Sequence, residues 1–158
     1  MSNEDPIAFF LTWVTYGTWL PGDARGWVEY KRGWQLPSPH LEAECESKMS
    51  SDACRLTKTQ REAVEAQVAE TCGYRGWHLH TVNCRSNHIH VVVTANETAP
   101  KKVRIDLKAY ATRCLKKLDE TRDDWWAERG SIRWIYNDDD LESAIIYVID
   151  GQDRKPNA

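Results

Sequence analysis

The 158-residue sequence has no C-x-x-C pair, no apolar run long enough to cross a bilayer, no internal repeat and no excess of positive charge. The five cysteines, Cys45, Cys54, Cys72, Cys84 and Cys114, are scattered and odd in number. That excludes a disulfide framework and a zinc ribbon, and it fits reduced thiols in a cytoplasm. The first residues, "MSNEDPIAFFLTWVTYGTWL", have no basic stretch, and their apolar run is broken by Thr, Gly and Trp. Neither a signal peptide nor a membrane span is expected. The formal charge of −3 gives no compositional sign of nucleic acid. A DNA-binding reading must therefore rest on local charge. Phenylalanine is scarce, with two residues against eight tryptophans. Core packing accounts for most of the indoles, and stacking on bases could use a few.

What is present reads as one domain, 1–158. "IAFFLTWVTY" (7–16) is apolar and β-branched and predicts a buried strand. Residues 17–57 read as a long loop insertion rich in Gly and Pro, and such loops are usually functional. "KTQREAVEAQVAETCGY" (58–74) predicts an amphipathic helix. "WHLHTVNC" and "HIHVVVTA" predict a hairpin over 77–95, and "VRIDLKAYATRCLKKL" (103–118) predicts the clearest helix. "GSIRWIYN" (130–137) is a strand, and a last helix covers 138–152, leaving a loose tail at 153–158. The order β-α-β-β-α-β plus a helix implies an α+β, ferredoxin-like antiparallel sheet with helices on one face and a C-terminal helix added.

In "SNHIHVVVTA" (86–95), strand alternation puts His88 and His90 on one face with Ile89 on the other. Residues two apart on a strand are about 6–7 Å apart at Cα, close enough for their imidazoles to share one ion. A half-buried structural pair is the plainer alternative. A second pair, His78 and His80, sits on the partner strand, so spacing alone does not choose between them.

The segment "GWHLHTVNCRSNHIHVVVTA" resembles the HUH segment (His, bulky hydrophobic, His) of the single-tyrosine HUH transposases. It is most similar to that of the REP-associated tyrosine transposases. "FFLTWVTYGTWLPGDARGWV", "VRIDLKAYATRCL" and "WWAERGSIRW…DDDLESAIIYVIDGQ" resemble, in order, that group's first strand and loop, central helix, and closing strand with tyrosine helix. The resemblance implies a metal-dependent single-stranded DNA nuclease and strand transferase that forms a 5′-phosphotyrosine. His88 and His90 would hold Mg²⁺ or Mn²⁺, the partner would be single-stranded, hairpin-forming DNA, and the acting unit would be a homodimer. A divalent ion suits this chemistry because it neutralises the phosphodiester as an oxygen attacks.

Two tyrosines lie on helices after the histidines. Tyr110 falls in the stripe Val103, Leu107, Tyr110, Ala111, Cys114, Leu118, which reads as core. Tyr147 falls off the stripe Leu141, Ala144, Ile145, Val148, Ile149, near Ser143 and Asp150. The resemblance selects Tyr147, because "YVIDGQ" fits the family pattern for its nucleophile. The family's third metal ligand is an amide four residues on, where this chain has Gly151. A left-handed Gly151 could end the helix and swing Gln152 back. Gln152 is therefore the ligand candidate, with Asp150 second. For DNA contact the cations Lys101, Arg104, Lys108 and Arg113, off the stripe of helix 103–118, form a basic ridge, with a merely solvated face as the alternative. Arg25, Lys31 and Arg32 join them from the loop, interleaved with Trp19, Trp27 and Trp34. Two other readings compete: a domesticated DNA-binding protein with this fold and no transposition, and a metal-binding protein unrelated to DNA.

Overall fold

The computed structural model describes residues 5–29 and 31–150. Gln152 and the expected tail lie outside the described residues. The elements in chain order are β1 (Ala8–Val14), β2 (Trp27–Glu29), β3 (Gly33–Gln35), α1 (Pro39–Ser47), α2 (Lys58–Arg75), β4 (His78–Cys84), β5 (His88–Thr94), α3 (Pro100–Leu118), β6 (Ser131–Ile135) and α4 (Asp138–Ile149). The main sheet runs β4-β5-β1-β6, antiparallel throughout. Without the insertion this is the expected ferredoxin-like arrangement.

Each helix has a local reason to start and stop. Thr57 and Gln60 form a reciprocal capping box on α2. Gly76, at φ +75, ends it in the left-handed conformation that returns the chain to the sheet. Pro100 opens α3, a position where proline's missing N–H costs nothing. Asn137 Oδ1 accepts from the Asp140 amide at 2.8 Å and caps α4, and Asp138, Asp139 and Asp140 complement the positive end of its dipole.

The sheet is covered on both faces. Phe9, Leu11, Trp13, Ile89, Val91 and Val93 point into a core closed by Val64 and Val68 of α2 and Val103, Leu107, Ala111 and Leu115 of α3. Ala8, Phe10, Val92 and Ile135 point the other way and meet Ala144 and Val148 of α4. Double coverage explains why β1 reads as a nearly continuous apolar run rather than an alternation. Each buried aliphatic side chain contributes roughly 1.5–3 kcal/mol. α4 buries only two residues fully, so its attachment is modest. Ile149, expected in its apolar stripe, is exposed. No helix among the described residues is long and apolar enough to cross a membrane.

The insertion 17–57 is more ordered than a loop. It holds the β2–β3 hairpin and α1. Its two feet are tied to the turn before His88: the Thr15 amide donates to Asn87 O at 2.9 Å, and the Leu56 amide to Ser86 O at 2.7 Å. Gly26, at φ +84, lies under the Trp34 ring, which a Cβ would overlap.

Candidate active site

β5 carries Ile89, Val91 and Val93 into the α2/α3 core, so the alternate residues His88, His90 and Val92 face α4. The rings of His88 and His90 meet edge to face with centroids 4.8 Å apart. Both are held through Nδ1. Asn87 Oδ1 accepts from His88 at 2.7 Å, so Nδ1 carries that proton and Nε2 is the lone-pair nitrogen. Thr12 Oγ1, on the neighbouring strand at the register position of His90, bonds His90 Nδ1 at 2.7 Å. Oxygen partners on one ring nitrogen are what orient an imidazole that ligates through the other. So oriented, the pair offers two nitrogen donors that suit a divalent ion.

α4 brings Tyr147 to this pair. Its ring centroid lies 5.7 Å from that of His90 and 6.0 Å from that of Phe10, and Phe10 lies 5.3 Å from His90. Tyr147 keeps 40% of its surface exposed. The helical wheel put it on the far side of α4, whereas the structure puts it at the rim, between sheet and solvent. Asn83, paired in register with His90, donates from Nδ2 to Val148 O at 2.9 Å and pins the last turn of α4 to β4. Sequence reasoning missed Asn83. No sequence signal pointed to it: only the register of β4 against β5, which sets Asn83 opposite His90, puts it on the histidine face. Among the described residues no third His, Cys, Asp or Glu joins the pair, Asp150 included.

Tyr110 is on the other side of the sheet, half-buried, with Arg113 and Arg75 at 5.0 and 6.0 Å from its ring centroid. The basic ridge of α3 divides. Lys101 and Arg113 are exposed. Arg104 donates to Gly130 O at 3.0 Å, and Lys108 donates to Ala127 O at 2.8 Å and Glu128 O at 3.3 Å. Burial, with Arg104 beside it, pushes the Lys108 ammonium down to about 8. These two cations hold the segment before β6 rather than facing outward. In the insertion, Arg25 grips both carboxylate oxygens of Asp23 at 2.7 Å, donates to Thr18 O at 2.8 Å and stacks 3.9 Å from the Trp19 centroid. That clamp holds the Asp23 carboxyl below its usual range. Lys31 and Arg32 sit at the hairpin tip, with Arg32 4.0 Å from Glu29.

The second pair differs from the first. A bulge between Leu79 and Thr81 turns His80 toward His78, with centroids 4.5 Å apart. Thr94 Oγ1 donates to Ile7 O at 2.6 Å and so accepts from His80 Nε2 at 2.7 Å. This pair sits at the opposite end of the hairpin from His88, and Tyr147 packs on His90 instead.

A ferredoxin-like sheet that sets a strand-borne histidine pair against a helical tyrosine defines the architecture. Among solved structures, the chain is similar to a REP-associated tyrosine transposase bound to a REP hairpin. The identity is 12% and the TM-score 0.55, covering 94% of this chain and 68% of that one. It is also similar to a protein from Deinococcus radiodurans R1 proposed to be a transposase, at 11% identity and a TM-score of 0.54, covering 93% and 91%. No protein-family model and no curated protein matches the sequence. At these identities the likeness establishes the fold: the chain has the tyrosine-transposase fold that the sequence resembles.

Proposed function

We propose that this protein is a metal-dependent nuclease and strand transferase on single-stranded DNA, acting as a transposase. The observation that carries this reading is the meeting of Tyr147 with the His88–His90 pair, from elements more than fifty residues apart in the chain. The Tyr147 oxygen attacks the scissile phosphorus, a P–O bond to tyrosine forms, and the P–O3′ bond breaks. The 3′ oxygen leaves and takes up a proton, and the DNA 5′ end stays on Tyr147. The covalent link conserves the bond for rejoining to a second strand.

His88 and His90 would hold Mg²⁺ or Mn²⁺, with Gln152 completing the shell. When bound, the ion supplies charge neutralisation at the phosphate. Asn87 and Thr12 orient the two imidazoles, and Phe10 supports both His90 and the Tyr147 ring. Asn83 keeps α4 over the pair. Lys31 and Arg32 at the hairpin tip, with Lys101 and Arg113 of α3, are the proposed outer phosphate contacts. Arg25, Arg104 and Lys108 would contribute to DNA binding mainly through the segments they hold in place.

A labelled single-stranded oligonucleotide carrying a hairpin, incubated with Mg²⁺ or Mn²⁺, tests the reading. The wild type should cut it, and the double replacement His88→Ala, His90→Ala should fold and not cut. Metal-dependent cutting by the double variant would exclude the pair as the metal site.

A further inference from the structure

Three of the cations picked out by the sequence are committed inside the fold: Arg25 to Asp23, Arg104 to Gly130 O, and Lys108 to two backbone carbonyls. Arg133, which the sequence did not single out, is placed differently. It stands on β6 opposite Phe10 in register, so it shares the sheet face of Phe10, Thr12 and His90. It is exposed, and its guanidinium carbon lies 6.0 Å from the Phe10 centroid. Among the described residues it meets no carboxylate and no carbonyl.

Phe10 is the hub. His90 and Tyr147 pack against the same ring, so a cation, an imidazole and a phenol surround one phenylalanine. A ring contact at the outer limit of cation–π range is too weak to account for an arginine there. A guanidinium presents a planar fork of donors that matches two phosphate oxygens at once. The edge strand β6 leaves that fork open to solvent on the face where the strand would be cut.

We propose that Arg133 binds a backbone phosphate neighbouring the scissile one, and so sets the register of the DNA across the face from β6 to β5. The inference rests on the reading of this face as a single-stranded DNA site. Its contribution is electrostatic and indifferent to base sequence.

The test is fluorescence anisotropy with labelled oligo(dT) and with a labelled hairpin carrying single-stranded flanks. EDTA removes any metal contribution, and salt is varied from about 50 to 200 mM. Arg133→Gln should weaken binding to both probes and flatten the log–log salt slope by about 0.7, the loss of one phosphate contact on a single strand. Arg133→Lys keeps the charge and should keep the slope. Lys58→Gln, which removes an exposed cation on α2 across the sheet, should match the wild type. Arg133→Gln should melt with the wild type because its side chain is exposed, and Arg133→Ala provides a second neutral variant. If both neutral variants keep the wild-type slope while the wild type binds, the inference falls and the single-strand reading stands. If the wild type binds neither probe, both fall.

Discussion

Replacing Asn83 by alanine removes the bond from its Nδ2 to Val148 O, 2.9 Å in length, that joins the last turn of α4 to β4. A hydrogen bond of this kind contributes about 0.5–1.5 kcal/mol net. In a domain of this size that lowers the melting temperature by roughly 1–6 °C. The larger effect should be on chemistry. α4 is buried only at Ala144 and Val148, and Tyr147 sits between them, one residue before the tethered carbonyl. If the lost energy goes into misplacing Tyr147 relative to His90, adduct formation slows roughly 2- to 10-fold. DNA affinity should hold, because Asn83 presents no charge. Asn83→Asp is the sharper variant: same size, but an acceptor facing a carbonyl, so it should lose more than alanine does. Differential scanning fluorimetry, single-turnover adduct formation and oligo(dT) anisotropy read the three quantities. An unchanged melting point would refute the tether. A lowered melting point with an unchanged adduct rate would refute its role in placing Tyr147.

Burial pushes the thiols of Cys72 and Cys84 up to about 11 and about 12, and that of Cys54 upward, while Cys45 and Cys114 are half-exposed. Native alkylation at about pH 8 should therefore label Cys45 and Cys114 alone, as peptide mapping would show; rapid labelling of Cys84 would contradict the packing under α2. Burial, with His78 beside it, holds His80 below the ordinary histidine value of 6.5. The fold favours its neutral form, so its contribution to stability is full above pH 6.5 and is lost as pH falls through the lower folded value. Melting curves of the wild type and His80→Gln should diverge above that pH and converge below it. A difference between the two that is independent of pH would refute the assignment.

The sheet was legible in the sequence because its signals are strong and local. The apolar run of β1 and the alternation in β5 located both strands, and the same alternation put His88 and His90 on one face. The apolar period of 58–74 located α2, whose capping box at Thr57 and Gln60 and left-handed Gly76 end appear in the structure. The insertion was not legible. β2 and β3 have three residues each, and α1 buries none of its residues, so neither periodicity had an apolar face to reveal. The basic ridge was misread for a different reason. A helical wheel assigns Arg104 and Lys108 to solvent, but the segment before β6 folds back and offers them carbonyls. The same limitation placed Tyr147 away from the sheet: the wheel does not know that α4 ends above Phe10 and His90. Asn83 and Arg133 carry no motif, and only the register of β4 against β5 and of β6 against β1 gives them meaning.

The central claim is that Tyr147 becomes covalently linked to DNA. The direct measurement is to trap the product on a 3′-labelled single-stranded substrate in the presence of Mn²⁺, digest it, and sequence the labelled peptide. The account predicts a phosphotyrosine at Tyr147, none in a Tyr147→Phe variant that still folds and binds the strand, and an intact adduct in Tyr110→Phe, whose ring stays in place across the sheet. A label on Tyr110, or cutting with no adduct at all, would contradict it.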